Sequence, residues 1–174
     1  DIDLAGFAVG IGEKAHLLPA GAEISAGGTI YGLSSSGIHS NGLSLVRKII
    51  TPDQGEDYAQ LLTPTRIYIK EMKVLLSTGD ITAAAHITGG GLEGNLSRVL
   101  PDGLRPEFSW DWPEPAIFEK IREKGAVPEE EMRRVFNLGI GMALIVKSGQ
   151  EESVEEKARC AGIEIRKIGV LKNG

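Results

Sequence analysis

Hydrophobic and polar residues along the first third of the chain predict a strand, a polar loop and a helix in succession. Residues 4–11 are apolar and read as an extended segment, and glycines and a proline break the stretch 13–28 that follows. Thr29–Leu33 predicts a strand that leads directly into polar residues. A helix is predicted next, with Ser40 or Asn41 capping its start. Its apolar residues recur at helical spacing: Leu43, Val46, Ile49 and Ile50.

The rest of the chain continues as an irregular alternation of strands and helices. A helix is predicted from about Pro64 to Ser77, and Gly79 ends it. Ile81–Ile87 fits either a short buried strand or the tail of that helix, and its periodicity leaves both open. The later predicted elements are a short helix through Leu96 and Val99, a strand over Leu104–Trp110, helices over Pro115–Lys124 and after Pro128, a strand over Gly141–Val146, a helix over Glu151–Ala161 and a strand over Ile163–Val170. This order predicts one α/β domain of the α+β type, with a mixed β-sheet covered by helices.

Size and charge exclude several classes of protein. The 174 residues fit a single domain, and the formal net charge of −5 argues against general binding to nucleic acid or to a membrane surface. No apolar run approaches the roughly 20 residues that span a bilayer. Cys160 is the only cysteine, which excludes an intrachain disulfide and a cysteine-based zinc site. We therefore expect a cytoplasmic protein without nucleic-acid or membrane partners.

Three glycine-rich segments are candidates for a binding site: Ser34–Gly42, His86–Leu92 and Asn137–Met142. Each lies next to a strand-like run, so all three are expected to gather along one edge of the sheet. Ser34–Gly42 combines hydroxyls, an imidazole, a carboxamide and glycines ahead of a helix start, which suits a phosphate or another anion. Taken singly, each segment also fits plain turn chemistry, and His86 fits a buried core histidine equally well.

Several common catalytic patterns are absent from the sequence. The phosphate-binding pattern GxxxxGK followed by Ser or Thr does not occur, nor does the GxSxG pattern of serine hydrolases. With three histidines and one cysteine in the chain, a dedicated transition-metal site is not expected.

Four ordered segments together resemble one enzyme family. LAGFAVG (4–10), GLSSSGIHSNGLSLVRKI (32–49), HITGGGLEGNLSRVLPDGL (86–104) and FNLGIGMALIV (136–146) are similar to phosphoribosylformylglycinamidine cyclo-ligase, also called aminoimidazole ribonucleotide synthetase. The resemblance covers nearly the whole chain but only the C-terminal half of that enzyme. It implies that residues 1–174 form a single C-terminal domain, which residues 1–11 enter from an N-terminal ATP-binding domain.

The resemblance also implies an activity. Enzymes of this family close the ring of formylglycinamidine ribonucleotide to give aminoimidazole ribonucleotide in purine biosynthesis, with ATP activating the formyl oxygen and phosphate leaving as the C–N bond forms. ATP and Mg²⁺ would be bound mostly by the N-terminal domain, and the full-length enzyme would be a homodimer. We therefore expect the 174-residue chain to be inactive by itself.

Site residues follow from the same resemblance. His39 and His86 are the candidates for proton transfer or charge stabilisation, with His39 slightly favoured. Asn137 and Gly139 are expected to support the cleft, and no metal ligand is assigned. The residues expected to bind substrate or phosphate are Ser36, Gly37, Ser40, Asn41, Thr88, Gly89, Gly90 and Gly91.

Two other readings stay open. Selenophosphate synthetase and thiamine-monophosphate kinase share this architecture and also use ATP, so the chain is similar to them as well. Its sequence segments resemble the cyclo-ligase more closely than either of these enzymes. The second alternative is a non-catalytic module that only binds a ligand.

Overall fold

The structure is a computed structural model and describes residues 6–12, 17–18 and 24–174. Part of the predicted extended segment 4–11 therefore lies outside the described residues. Residues 6–12 have no regular secondary structure. Their large apolar side chains Phe7, Val9 and Ile11 are almost fully exposed.

Within the described residues the chain forms five strands, seven α-helices and a short 3-10 turn at Pro52–Gln54. The strands are β1 (Thr29–Ser34), β2 (Ile81–His86), β3 (Leu104–Phe108), β4 (Ile140–Val146) and β5 (Arg166–Asn173). The helices are α1 (Leu43–Ile49), α2 (Glu56–Leu61), α3 (Ile69–Leu76), α4 (Gly91–Leu96), α5 (Ala116–Gly125), α6 (Glu129–Val135) and α7 (Glu151–Cys160).

The strands form one sheet in the order β2-β4-β1-β5-β3. This confirms the predicted α+β fold, a sheet covered by helices. Each of the four neighbouring pairs is antiparallel, so the sheet is not of mixed direction as the sequence had led us to expect. Ile81–His86, which the sequence left undecided, is a strand, and most of its side chains are buried.

Helices cover both faces of the sheet. Neighbouring residues of a strand point to opposite faces, and the strands carry apolar residues on both. Tyr31 and Leu33 of β1 pack in a cluster with residues of α3 and α7. Ile30 packs in a second cluster, with Leu92 and Leu96 of α4. A third apolar cluster joins α1, α2, α5 and α6 beside the sheet. No helix of the described part is both long and apolar enough to cross a membrane.

Two local predictions were wrong, and both errors lie near the polar loop. The helix predicted from Pro64 begins only at Ile69, because the preceding residues bond to the loop instead of to one another. Helix α1 begins at Leu43, directly after Gly42, whose φ is 68°. Neither Ser40 nor Asn41 caps this helix with its side chain. The Asn41 amide donates to the His39 carbonyl instead.

Candidate functional site

The three glycine-rich segments meet at one end of the sheet. β1 ends at Ser34, β2 ends at His86 and β4 begins at Ile140. Since β4 lies between β1 and β2 and is antiparallel to both, its start is beside their ends. The loops are in close proximity: a Cβ added to Gly89 would lie 3.8 Å from Asn41 Oδ1.

We call residues Ser34–Gly42 the His39 loop. Two of its consecutive residues that are not glycine have left-handed backbone, His39 with φ 51° and Ser40 with φ 58°. Such conformations are unfavourable for L-residues and persist where surrounding contacts enforce them. Gly42, at the end of the loop, packs directly against the Phe136 ring, so this end of the loop is attached to the core.

The His39 side chain is 4% exposed and is held through one ring nitrogen. Nε2 accepts from the Ser36 backbone N–H at 3.0 Å and from the Arg66 backbone N–H at 3.4 Å. Nδ1 is buried without a hydrogen-bond partner among the described residues. Burial, with the nearby His86 and Arg66, lowers the pKa of His39 to about 4. His39 is therefore neutral at pH 7, with its proton on Nδ1.

His86 differs from His39 in its exposure. It is the last residue of β2, pairs across the sheet with Met142 and faces solvent. Its ring centroid lies 6.2 Å from that of His39 and 6.1 Å from that of Tyr68, and the His39 and Tyr68 rings are also 6.2 Å apart. The sequence-predicted pair of histidines thus forms a cluster of three rings with a tyrosine.

Gly141 makes room for this cluster. Any Cβ at this position of β4 would overlap the Tyr68 hydroxyl and the His39 ring. The sequence drew attention to the NLGIGM segment but not to this residue, because only the fold shows what passes over it.

The segment Thr88–Gly91, which leads from β2 into the first residue of α4, is held from inside by Asn95. The Asn95 amide donates to the Gly91 carbonyl at 2.7 Å and to the Thr88 carbonyl at 3.2 Å, and its Oδ1 accepts from the Thr88 hydroxyl at 3.1 Å. Gly89 and Gly90 are exposed, whereas Gly91 is buried against the Arg133 carbonyl. Two of the three glycines therefore have exposed backbone, and the third permits close packing of α4 on α6.

Asn137 joins the His39 loop to the start of β4. The side chain is fully buried, and its amide donates to the Gly37 carbonyl at 2.8 Å. Its Oδ1 accepts from the Ser35 hydroxyl and from the Gly139 N–H, each at 2.9 Å. The structure thus places Asn137 and Gly139 where they support both segments.

Arg66 and Tyr68 were missed from the sequence. The Arg66 guanidinium donates to the Ser34 carbonyl at 3.0 Å and to the Ser34 hydroxyl at 2.7 Å, and it forms an ion pair with Glu71 at 2.9 Å. The Tyr68 hydroxyl donates to the same carbonyl at 2.8 Å, and burial raises the pKa of Tyr68 to about 12. Both residues lie in the stretch that the sequence predicts as a helix from about Pro64, and a helix there gives no sign of these contacts with Ser34.

Several apolar side chains near the site are exposed to solvent. Leu62, Ile67 and Ile69 lie beside the His39 loop with 67%, 75% and 74% of their surface exposed. A separate cavity of about 790 Å³ opens beside Gly90, between α4, α6 and β3, and includes Trp110 with the Arg133 guanidinium 4.3 Å from its ring centre. Among the described residues, no three His, Cys, Asp or Glu side chains are grouped so that they could hold a metal ion.

Residues 25–174 match the family model described as AIR synthase related protein, C-terminal domain. The chain belongs to this family. The resemblance of its sequence segments is confirmed by curated relatives: the phosphoribosylformylglycinamidine cyclo-ligases of Burkholderia cenocepacia (strain HI2424) and Burkholderia orbicola (strain AU 1054) are each 45% identical over 99% of the chain. The chain spans about half the length of these relatives, 52%.

The fold of the AIR synthase related C-terminal domain also occurs in solved kinase structures. Thiamine-monophosphate kinase from Stenotrophomonas maltophilia K279a matches with a TM-score of 0.54 at 15% identity, over 86% of this chain and 49% of the kinase. The same kinase from Aquifex aeolicus matches with a TM-score of 0.51 at 16% identity, over 87% and 50%. At such identity the likeness establishes the fold alone.

Proposed function

We propose that this chain is the C-terminal domain of a phosphoribosylformylglycinamidine cyclo-ligase, which closes the ring of formylglycinamidine ribonucleotide to aminoimidazole ribonucleotide in the cytoplasm. The observation that carries the proposal is the meeting of the His39 loop, His86 and Thr88–Gly91 at one end of the sheet, in a chain 45% identical to enzymes of that name.

The exposed groups of the site suit an anionic, oxygen-rich substrate. Ser36, Ser40, Gly89 and Gly90 are exposed on neighbouring loops, and of the two serines Ser36 donates its hydroxyl proton to the Pro64 carbonyl. We assign the ribonucleotide's phosphate and polar groups to these residues, with Gly37, Asn41, Thr88 and Gly91 completing the loops. Neutral, hydroxyl-rich and glycine-rich surfaces bind phosphate through N–H and O–H donors.

We assign different roles to the two histidines, proton transfer to His86 and support of the loop to His39. Ring closure requires the attacking amidine nitrogen to lose a proton, and a neutral imidazole accepts one near neutral pH. His86 is exposed and therefore within reach of a substrate, so we assign this step to it. His39 is buried and neutral, so it holds the loop and presents a polar ring beside His86.

Among the residues that the structure describes, no three His, Cys, Asp or Glu side chains are placed to hold the Mg²⁺ that would accompany ATP. We assign ATP and Mg²⁺ to an N-terminal domain, in keeping with relatives twice as long as this chain. The exposed Leu62, Ile67 and Ile69 beside the site would contact that domain, which would also form the homodimer interface. In this arrangement the 174-residue chain binds substrate but does not turn it over.

The test is an assay of the full-length protein that contains this chain. Formation of aminoimidazole ribonucleotide from ATP and formylglycinamidine ribonucleotide is measured for the wild type and for the variants His39→Ala, His86→Ala and Cys160→Ala. We expect His86→Ala to lower kcat by about 10²-fold or more, and Cys160→Ala, at an exposed thiol that bonds to Glu156 and to no residue of the site, to leave it unchanged. The assignment of proton transfer to His86 is wrong if His86→Ala keeps the kcat and KM of the wild type, and the site itself is wrong if His39→Ala keeps them as well.

The same assay separates the alternatives. Thiamine phosphate and selenide replace the ribonucleotide in parallel reactions, and ATP consumption is followed in each. Turnover of either one in place of the ribonucleotide would assign the chain to a related enzyme, and ligand binding without any turnover would leave a binding module.

A further inference from the structure

We propose that Arg66 and Tyr68 are positioning residues, which hold the His39 loop in the conformation that binds the substrate. The inference rests on the proposed function for the identity of the ligand. The contacts that carry it belong to the chain itself and are independent of that function.

Arg66 joins the first residue of the loop to helix α3. One guanidinium nitrogen donates to both the carbonyl and the hydroxyl of Ser34, and another pairs with Glu71 in the first turn of α3. Bonds from a planar guanidinium fix the direction of their partners as well as their distance. Ser34 is therefore fixed relative to α3 at the point where the strand becomes the loop.

Tyr68 fixes the same carbonyl from the inside. Its hydroxyl donates to the Ser34 carbonyl, and its buried ring lies against His39 and His86. The guanidinium of Arg66 lies 5.2 Å from the centre of this ring. Both side chains thus converge on one peptide unit of the loop.

The backbone of the same segment continues the contact. The Pro64 carbonyl accepts from the Ser36 hydroxyl at 2.7 Å, and the Arg66 N–H donates to His39 Nε2. These bonds remain when the Arg66 side chain is replaced, so a substitution there removes the guanidinium contacts selectively.

The loop needs support from outside itself. His39 and Ser40 both have left-handed backbone, which free peptides of these residues seldom adopt. Contacts from a neighbouring segment offset that cost and keep the loop in one conformation before a ligand arrives. Residues 64–68 lie outside the helices and strands, and of their backbone groups the Tyr68 carbonyl accepts the first helical hydrogen bond of α3, from the Met72 N–H. The contacts that Pro64 and Arg66 make with the loop therefore do not replace hydrogen bonds of a helix or strand.

Exposure along the segment supports the same assignment. Arg66 and Tyr68 turn toward the loop, whereas Ile67 and Ile69 are about three-quarters exposed. A segment serving only the core would bury its aliphatic residues and expose its arginine.

The experiment compares variants of the full-length protein that contains this chain. Arg66→Gln removes the charge and the fork, Arg66→Lys keeps the charge, Tyr68→Phe removes one hydroxyl, and Arg159→Gln is a matched control at an exposed ion pair with Glu156. Affinity for formylglycinamidine ribonucleotide is measured by calorimetry. The ¹⁵N signals of the His39 ring and the midpoint of thermal unfolding are recorded for each variant without ligand.

We expect Arg66→Gln to bind the ribonucleotide about 10-fold more weakly than the wild type does. Arg66→Lys and Tyr68→Phe should each bind it about 3-fold more weakly than the wild type. The ¹⁵N signals of His39 should shift in Arg66→Gln while the protein stays folded, and Arg159→Gln should match the wild type in all three measurements. A loss confined to the unfolding midpoint, with affinity and His39 signals unchanged, would reduce both residues to a structural role.

The two proposals fail in different ways. If the wild-type protein does not bind the ribonucleotide, the identity of the ligand is wrong, and the His39 signals still test the positioning role. If the wild type binds and Arg66→Gln binds equally well with unshifted His39 signals, the positioning role is wrong and the proposed function stands.

Discussion

At the scale of single residues, the site depends largely on contacts between residues that are far apart in the sequence, such as those of Arg66 with Ser34 and of Asn137 with Gly37. His39 and His86 were predicted from the sequence because their segments resemble the cyclo-ligase family and an imidazole can transfer a proton near neutral pH. Gly141, Arg66 and Asn95 were not, because their importance lies in what the fold brings against them. Sequence reasoning therefore found the residues with distinctive chemistry and missed those that position them.

Replacing Gly141 with Ala tests the packing of the ring cluster. The added methyl group would overlap the Tyr68 hydroxyl and the His39 ring, so we expect a loss of about 1–3 kcal/mol in the free energy of unfolding. Gly94→Ala is the matched control, since nothing lies within 4 Å of a Cβ there and an alanine favours helix α4. Chemical denaturation of both variants gives the comparison, and equal stability of the two would contradict the packing described for Gly141.

The low pKa of His39 predicts a pH dependence of stability. The pKa is lower in the folded chain, about 4, than its ordinary value of 6.5, so the unfolded chain binds the additional proton as pH falls between these values. The contribution of His39 to stability is therefore complete above pH 6.5 and is lost as pH falls toward 4. We expect His39→Gln to flatten the curve of unfolding free energy against pH in this window, and identical curves for the two proteins would refute the assignment.

At the scale of elements, most of the helices and strands followed from apolar spacing. The strand β4, with its run of apolar residues, and α6, with Pro128 ahead of three glutamates, were predicted to within a residue or two. The direction of the strand pairs was not predictable, because alternating elements suit parallel and antiparallel sheets alike. The late start of α3 was missed because residues 64–68 bond to the His39 loop.

Asn137 connects two elements, and its replacement tests how firmly they are joined. Asn137→Ala would leave the Gly37 carbonyl, the Gly139 N–H and the Ser35 hydroxyl without their shared partner in a buried place. We expect a loss of about 3 kcal/mol in unfolding free energy and faster amide exchange in the His39 loop. Asn173→Ala, at an exposed position in β5, should change neither quantity. An Asn137→Ala chain with native exchange rates would show that the two segments are held independently.

At the scale of the whole molecule, the fold class and the family were predictable because the matching segments extend over nearly the full chain. The sequence did not show which apolar residues are buried in the core and which are exposed at the surface. Residues 67 and 69 look like core residues in sequence, yet they are exposed while Leu33 is fully buried. Their exposure depends on how the segment turns toward the His39 loop.

This difference in burial predicts unequal effects of substitution. The double variant Ile67→Thr with Ile69→Thr should change the unfolding free energy of the 174-residue chain by no more than about 0.5 kcal/mol per site. Leu33→Ala should lower it by about 2–5 kcal/mol, because it opens a cavity in the core. Thermal and chemical denaturation measure both, and a large loss in the double variant would place these isoleucines in the core of the folded chain.

The antiparallel sheet also decides where the chain can be cut or extended. The His39 loop, His86 and Gly139 lie at one end of the central strands, whereas Val146 leads at the other end to an exposed turn at Gly149. A fluorescent label, a peptide tag or a protease site inserted at Gly149 would be the length of β4 away from the site. Such an insertion should leave the affinity for the ligand unchanged. The turn at Gly149 is therefore a suitable attachment point for immobilisation and single-molecule experiments, since it lies away from the candidate site.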